Sequence, residues 1–444
     1  MCHPRSRNPH ARPPAALGAA LIAALFALGL PAVAQDEPFI VHETKPVIMQ
    51  GPYLSALSET GATIVWTTDT PCHAKVVFGP QGESLSREAD NAAHGLLPIG
   101  TRHVVHLGGL EPGRSYTYKA VATRVVKMKA YWPEKGLPAE SPERTFMTFD
   151  RAKPSVSFSA VADTHEDAAG VKELLRVVEE QATEFLVHLG DAFHSLESED
   201  QLFGRWLGPA ERAVAGSKLL LFVRGNHEMR GVFARDLLDY IPAPEGRHYY
   251  ARDHGPLHLI ILDTGEDKAD ETNVYARLNK TESYRREEFA WLERHLATDP
   301  RAAEAPFRVI LLHQPDWGWT DGRGDEWTAL ANKGKIDLVL GGHFHRLRTV
   351  KPGTQGNEFT VLALGQEQVA RVEATPHELR VTVCGTDGQV AETLAIKARR
   401  SAKPPFPRGR GSGIDGRARV YLSRRSGTVL NLGPDVPGRR LELP

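Results

Sequence analysis

The chain has 444 residues, of which 41% are hydrophobic and 25% charged, a composition typical of globular proteins. Its formal net charge is −1, but basic residues are concentrated in the first 34 residues and after position 397, so the middle of the chain is net acidic. An acidic body argues against DNA or RNA polymers as substrates, because phosphate backbones are bound mainly by clustered Lys and Arg. The length predicts two or three domains.

Residues 1–34 have the features of an export signal. Three arginines precede an apolar run from Ala15 to Leu30, and an Ala-Val-Ala tripeptide ending at position 34 matches a small-residue cleavage site. The run is short for a bilayer span. We therefore expect a periplasmic or secreted protein without a transmembrane segment in its mature form. Cleavage would leave Cys72 and Cys384, which fall in different predicted domains and are expected to be free thiols.

Residues 45–150 have the short alternating runs and turn residues of an antiparallel β-sandwich. The segment from Leu110 to Tyr118 resembles the turn and tyrosine corner of fibronectin type III sandwiches, and Trp66 fits their core tryptophan. We expect a fibronectin type III-like domain here, with any other small antiparallel sandwich as the alternative. The predicted strands are 63–67, 74–78, 103–107, 115–121 and 145–149.

Residues 154–397 alternate strands with helical stretches, which predicts an α/β fold of two mixed sheets flanked by helices. Apolar residues recur at helical spacing around 171–178 and 289–296. The predicted strands are 155–162, 184–189, 218–223, 307–312 and 336–340, followed by 358–364, 369–373, 378–384 and 389–396. We expect the last four to close a second sheet. Residues 398–444 form a basic Pro/Gly-rich tail that we expect to be largely disordered.

Each of the first five of these strands ends at a short block of metal-capable side chains. The blocks are Asp163-Thr-His165, Gly190-Asp191-Ala-Phe-His194, Gly225-Asn226-His227-Glu228, His313 and Gly342-His343-Phe-His345. Side chains at i and i+2 near a strand end point the same way, and an open α/β sheet presents its ligands at strand tips. The sequence therefore predicts one site for two metal ions.

Asp191 is the natural bridge between two such ions, because the glycine before it lets the backbone turn tightly. Asp163 and His165 would supply one ion together with one imidazole of the last block. The second ion would take Asn226 through its carbonyl oxygen, His313 and the other imidazole. Mixed nitrogen and oxygen ligation suits Fe, Mn, Zn or Co, whose identity here is left open.

Two polar residues of the third block remain beside this predicted site. His227 follows the metal-binding asparagine and is placed to protonate a leaving-group oxygen as a general acid. Glu228 could orient the ring of His227. We therefore place both among the candidate catalytic residues.

Together the five blocks resemble the calcineurin-like metallophosphoesterases, and a sandwich in front of them is similar to the layout of purple acid phosphatases. The resemblance implies attack on phosphorus by a metal-bound hydroxide, with His227 as the acid or phosphate contact. It also implies a first ion held by Asp163, His165, Asp191 and His345 and a second held by Asp191, Asn226, His313 and His343.

Two positions depart from the purple acid phosphatase pattern. That family has a tyrosine where this chain has His194, and it lacks a histidine at the position of His165. A histidine at the position of His194 occurs in repair nucleases of the superfamily, where it faces the substrate, so we add His194 to the catalytic candidates.

The expected activity is hydrolysis of small phosphate esters, with monoesters favoured. One alternative is a phosphodiesterase acting on cyclic nucleotides or phospholipid head groups. Another, of a different class, is a surface-binding module whose metal domain is inert. The oligomeric state is not indicated by the sequence.

Some residues near the blocks have two possible roles. The tryptophans after His313 could stack on an aromatic part of the substrate or hold their loop down, and the nearby arginines could clamp phosphate or form surface ion pairs. His188 is expected in the core. The tryptophans are Trp317, Trp319 and Trp327, and the arginines are Arg205, Arg224, Arg230 and Arg346.

Overall fold

The computed structural model describes residues 40–318 and 323–399. The predicted export signal, Trp319 and the basic tail beyond residue 399 lie outside the described residues. Within the described ranges, no helix combines the length and apolar character needed to cross a bilayer.

The first part of the described chain is built from antiparallel strands. These are β1 Ile48–Ser55, β2 Gly61–Pro80, β3 Arg87–Asp90, β4 Gly100–Gly108, β5 Ser115–Lys127, β6 Glu134–Glu140 and β7 Arg144–Met147. The first part of β2 pairs with β1 and β4, and its second part pairs with β3 and β5. The predicted strands 63–67 and 74–78 therefore belong to one strand, which continues through a register shift between Thr67 and Cys72.

Two features of this region match the expected sandwich. Trp66 is fully buried in its core. The backbone N–H of Glu111 donates to the hydroxyl of Tyr116 at 2.9 Å, which is the hydrogen bond of a tyrosine corner. The fibronectin type III-like assignment itself stays a prediction from the sequence.

The second part of the chain contains twelve further strands within the described ranges. They are β8 Val156–Val161, β9 Phe185–His188, β10 Leu220–Phe222, β11 Tyr250–His254, β12 Leu257–Ile261, β13 Phe307–Leu311, β14 Leu338–Gly341, β15 Arg348–Val350, β16 Thr360–Ala363, β17 Gln368–Ala374, β18 Glu378–Gly385 and β19 Val390–Lys397. One sheet has the order β10-β9-β8-β17-β18-β19 and the other β11-β12-β13-β14-β16-β15. Strands β8 to β10 run parallel, as do β12, β13, β14 and β16.

The two sheets enclose one apolar core. Phe158 and Ala160 of β8 point into this core. Val161 points to the other face of the sheet and belongs to a second apolar cluster, which lies between the sheet and the helices. The predicted mixed sheets with helices are thus confirmed. The prediction that the last four strands all join the second sheet is wrong. Strand β17 pairs with β8, so β17, β18 and β19 belong to the first sheet. Of the four, β16 alone lies in the second sheet.

Helices cover the outer faces of the sheets. They are α1 Ala168–Gln181, α2 Glu199–Leu202, α3 Gly208–Val214, α4 Leu237–Tyr240, α5 Thr281–Thr298, α6 Pro300–Glu304 and α7 Gly324–Lys333. A π-helical turn, Phe203–Leu207, joins α2 to α3. Asp167 caps α1 by accepting from the N–H of Ala169. The apolar residues that predicted α1 are buried, and Leu292 of α5 is too, which confirms both helices.

Both cysteines in the described residues are free thiols, as predicted. Cys72 of β2 is buried and Cys384 of β18 is half-buried. Burial raises the pKa of both thiols, so both are protonated and unreactive at neutral pH.

Strands β1 to β7 pack directly on the second part of the chain. Tyr118 of β5 donates its hydroxyl to the carbonyl of Gly216 at 2.9 Å, and both groups are shielded from water. Arg144 forms an ion pair of 2.8 Å with Glu211. One apolar core cluster includes residues of β1 to β7 and of the two sheets that follow. These contacts couple the two parts in one folded unit.

Tyr118→Phe is expected to lower the free energy of unfolding by about 1 kcal/mol, because it deletes a buried hydrogen bond across this interface. Urea denaturation measures the change. Tyr131→Phe is the matched control, since Tyr131 is 81% exposed and its removal should change nothing. Equal stabilities of Tyr118→Phe and the parent would contradict the coupling.

Candidate metal centre

The carboxyl ends of five strands meet at one edge of the two sheets. Strands β8, β9 and β10 come from one sheet, and β13 and β14 from the other. Each is followed directly by one of the five blocks. Six of the seven predicted ligands fall into two groups whose candidate ligand atoms lie within 4.8 Å of one another. The groups are Asp163, His165 and His345, and Asp191, His313 and His343.

The first group surrounds Oδ1 of Asp163. This oxygen lies 3.6 Å from Nε2 of His345 and 4.0 Å from Nε2 of His165. The two imidazole nitrogens are 3.0 Å apart. Oδ2 of Asp191 lies 4.0 Å from Nε2 of His165, within reach of the same point. These are the residues that the resemblance assigned to the first ion.

The second group surrounds Oδ2 of Asp191. Nε2 of His313 lies 3.0 Å from this oxygen. Nδ1 of His313 is 2.8 Å from the carbonyl oxygen of Leu189, which can only accept, so Nδ1 carries the proton and Nε2 faces the carboxylates. Asp191 is thus within reach of both groups, as a bridging ligand must be.

Each of the two aspartates uses one oxygen to hold a neighbouring turn. Oδ2 of Asp163 accepts from the N–H of His343 at 2.8 Å, which ties β8 to β14 in the other sheet. Oδ1 of Asp191 accepts from the N–H of His227 at 2.9 Å, which ties β9 to the turn carrying Asn226. The other oxygen of each carboxylate is left for an ion.

The residues present fit two metal ions. Oδ1 of Asp163 and Oδ1 of Asn226 are buried and have no hydrogen-bond partner within the described residues. Buried polar atoms are nearly always paired, so these two acceptors are suited to bind cations. The mixed nitrogen and oxygen donors suit Fe, Mn, Zn or Co.

The electrostatics of the site also favour positive charge. Burial raises the pKa of Asp163 to about 7, and the charge of Asp191 adds to that shift. Burial alone would lower the pKa of His313, but Asp191 and Asp163 outweigh it and raise this pKa to about 10. Burial lowers the pKa of His165 and of His343 to about 4, which keeps these rings neutral as metal binding requires.

Five of the predicted ligands lie in the left-handed region of backbone conformation, which is rare for residues other than glycine. Each such residue costs on the order of 1–3 kcal/mol, so the surrounding structure must hold the turns in place. The N–H groups of Asp163 and His165 donate to the carbonyls of Gly190 and Asp191 at 3.0 and 3.1 Å. The φ angles are 53° at Asp163, 40° at His165, 58° at Asp191, 72° at His343 and 56° at His345.

Glu228 holds the second and third blocks together. Its Oε2 accepts from the N–H of Gly225 at 2.7 Å and of Asp191 at 2.9 Å, and its Oε1 accepts from the N–H of Ala192 at 2.7 Å. Burial raises the pKa of its carboxyl to about 7. The predicted contact with the ring of His227 is not formed, because both oxygens are used by backbone groups.

His227 is held by two other partners. Its Nδ1 lies 2.7 Å from the carbonyl oxygen of His194 and must donate to it, so Nε2 accepts from Nη1 of Arg230 at 2.9 Å. Nε2 is also 3.8 Å from Oδ2 of Asp191. In this arrangement Nε2 carries no proton. The predicted general-acid role therefore requires that the hydrogen bond from Arg230 to Nε2 breaks first.

Arg230 is in turn fixed by Glu266, which the sequence did not indicate. Nε and Nη2 of Arg230 donate to the two carboxylate oxygens of Glu266 at 3.0 and 2.7 Å. Glu266 is fully buried. A forked pair of this kind fixes the plane of the guanidinium and points Nη1 at His227. No local sequence pattern links Arg230 to Glu266, which is 36 positions away. Only the position of Arg230 next to the third block could have indicated a role at the site.

His194 lies at the open side of the site. Its ring is exposed and stacks on His165 with a centroid distance of 5.1 Å. A cleft of about 410 Å³ opens beside the first group, lined among others by His165, His345 and Arg346. The cleft offers room for the organic part of a bound ester.

The remaining residues named from the sequence have structural roles or are exposed. His188 is buried as predicted, where burial lowers its pKa to about 3 and its ring contacts Thr164 and the N–H of Gly190. Trp317 and Trp327 are buried and stack on each other, so they hold their loop. Arg224 pairs with Asp263 at 2.6 Å, and Arg205 is exposed.

Gly225→Ala is expected to release most of the bound metal. A Cβ at this position would lie 2.2 Å from Oδ1 and 2.5 Å from the backbone nitrogen of Asp191, so the bridging residue would have to move. Elemental analysis of the purified protein measures the loss. Gly204→Ala is the control, since its Cβ would meet nothing within 4 Å. Unchanged metal content in Gly225→Ala would contradict the arrangement.

Comparison with known proteins agrees with this geometry. Residues 157–347 match the model of the calcineurin-like phosphoesterase family. Acid phosphatase type 7 of Mus musculus is 25% identical over 279 residues, which cover 59% of this chain and 58% of the relative. The Homo sapiens protein of the same name is 25% identical over 284 residues, with the same coverage. The match thus spans under two thirds of these relatives.

Solved structures share the fold. The purple acid phosphatase PPD1 from yellow lupin (Lupinus luteus) seeds superposes with a TM-score of 0.59 at 16% identity, covering 80% of this chain and 74% of its own. PhoD superposes with a TM-score of 0.54 at 12% identity, covering 78% and 88%. These two structures show the fold, and the family match over residues 157–347 supports a metal-dependent phosphoric ester hydrolase.

Proposed function

We propose that this chain is an exported hydrolase that cleaves small phosphate esters at a centre of two transition-metal ions. The observation that carries the proposal is the convergence of two ligand groups that share Asp191. When bound, the ions would activate water and offset the negative charge that develops at phosphorus. Export rests on the sequence of residues 1–34, and sequencing the N-terminus of the mature protein would test it.

The chain itself would hold the ions and orient the ester. We assign Asp163, His165, Asp191 and His345 to the first ion, and Asp191, Asn226, His313 and His343 to the second. Asp163 and Asp191 keep these ligands in register through their bonds to the turns of His343 and His227. Water exclusion beneath the ions follows from the burial of His313 and both aspartates.

His227 and Arg230 form the cationic side of the proposed centre. The guanidinium of Arg230 keeps its charge at any accessible pH and lies against Nε2 of His227, close to Asp191. A phosphate oxygen entering between the ions and this pair would accept hydrogen bonds from Arg230 or from a protonated His227. The pair would thereby stabilise charge on the phosphoryl group.

Monoesters are the favoured substrates. The relatives are named acid phosphatases, and the acidic body of the chain argues against polymeric diesters. A phosphodiesterase acting on small diesters is the second candidate, because the exposed ring of His194 and the 410 Å³ cleft leave space for a second ester group.

The purified protein is expected to contain two transition-metal ions per chain and to hydrolyse p-nitrophenyl phosphate faster than bis(p-nitrophenyl) phosphate. Elemental analysis and parallel assays with the two esters measure both properties. A strong preference for the bis ester would make the second candidate correct. Protein that lacks metal and stays inactive after addition of Mn or Zn would favour a surface-binding module instead.

His227→Ala is expected to lower kcat roughly 10²-fold while metal content stays near that of the parent, because its side chain contacts substrate rather than metal. Arg230→Lys should raise KM and lower kcat as well, since lysine keeps the charge but cannot pair with Glu266 and His227 at once. Arg205→Ala is the control, since Arg205 is exposed and its nearest ion pair is 3.8 Å long. Loss of metal from His227→Ala would make the assignment wrong.

A further inference from the structure

A second cavity lies next to the turn that carries Asn226 and has a volume of about 440 Å³. Arg224, directly before the third block, and Met229, directly after it, both line this cavity. None of the seven proposed metal ligands lines it. We call it the basic cavity, after its lining residues Arg224, Arg235, Arg247 and Lys280.

Positive charge dominates the lining of the basic cavity. The acidic residue that lines it, Glu287, accepts a hydrogen bond from the hydroxyl of Tyr249 at 2.6 Å. Arg235 and Lys280 are exposed, and neither forms an ion pair within residues 40–318 and 323–399. This local cationic lining contrasts with the net acidic body of the chain. It therefore attracts anions where the surrounding surface repels them.

The deeper arginines retain unused donors. Arg224 is half-buried and pairs with Asp263 through Nη2, but its buried Nε has no acceptor within the described part of the chain. Arg247 contacts Glu245 and lies over the ring of Tyr249, and its buried Nε has no acceptor there either. A buried N–H without an acceptor is costly, and an anionic ligand oxygen would remove that cost.

The rest of the lining is apolar. Leu238, Leu278 and Met229 contribute to the walls, together with the ring of Tyr284. A volume of this size suits a small organic molecule rather than a simple ion. Guanidinium groups match the geometry of phosphate oxygens, while the aliphatic and aromatic walls match an apolar substituent.

We propose that the basic cavity is a binding site for a small organic phosphate, separate from the metal centre. Its phosphate group would lie among Arg235, Arg247 and Lys280, and its organic part against Leu238 and Leu278. Because Arg224 and Met229 flank the metal-binding turn, a ligand in this cavity would sit against the backbone that positions Asn226. The site does not depend on which ester the metal centre hydrolyses.

The test is isothermal titration calorimetry of the metal-loaded full chain with phenylphosphonate. This ligand is suitable because an ester hydrolase does not cleave its carbon–phosphorus bond. We expect one binding event at the metal centre and a second at the basic cavity. The double variant Arg235→Ala/Lys280→Ala should weaken the second event by about tenfold or more, because two charge-assisted contacts are lost. The matched control Arg277→Ala/Arg286→Ala makes the same charge change at exposed positions outside the lining.

Binding by Arg235→Ala/Lys280→Ala that matches the parent would overturn the proposal, and so would an equal loss in the control variant. Inorganic phosphate should bind the cavity more weakly than phenylphosphonate, since it makes no contact with the apolar walls. Equal affinities would overturn the assignment to an organic phosphate. If the metal centre binds no anion, the event that remains in the parent should still disappear in the double variant, which separates this proposal from the proposed function.

Discussion

Two buried carboxylates organise this molecule. Asp163 and Asp191 each use one oxygen to accept a backbone N–H from a turn on another strand, at 2.8 and 2.9 Å, and present the other oxygen to the predicted ions. Asp163 thereby joins the two sheets, and Asp191 joins neighbouring turns of one sheet. The ligands on five separate turns keep their positions because these bonds cross between the turns.

The backbone conformation of the same turns is energetically unfavourable. Five of the predicted ligands adopt left-handed backbone conformations, and Asp191 lies so close to Gly225 that no side chain fits there. The buried carboxylate of Glu228 offsets part of this cost by accepting three backbone N–H groups of adjoining turns. The apolar core between the sheets supplies the rest of the rigidity. Metal binding in such a centre is therefore coupled to the fold, since ions would neutralise carboxylates that burial disfavours.

Charge divides the surroundings of the centre. The floor is negative and buried, while the His227–Arg230 pair and the cleft beside Arg346 add positive groups at the open side. The basic cavity adds a separate group of positive side chains next to the third block. Glu266 and Asp267 both pair with Arg230, so their negative charges offset the positive charge of the guanidinium.

The sequence by itself determined the α/β class and the seven candidate ligands, because both depend on short-range patterns. A buried strand followed directly by a metal-capable residue, with a glycine between them in three of the five blocks, puts that residue at a strand tip. It misjudged Glu228, which accepts from the nearby Gly225 but also from Asp191 and Ala192, more than thirty positions away. It also gave no sign of Glu266. It also divided β2 and placed β17 to β19 in the wrong sheet. Those features were decided only by the tertiary structure, since hydrogen bonds and strand neighbours between distant segments leave no periodic trace in the chain.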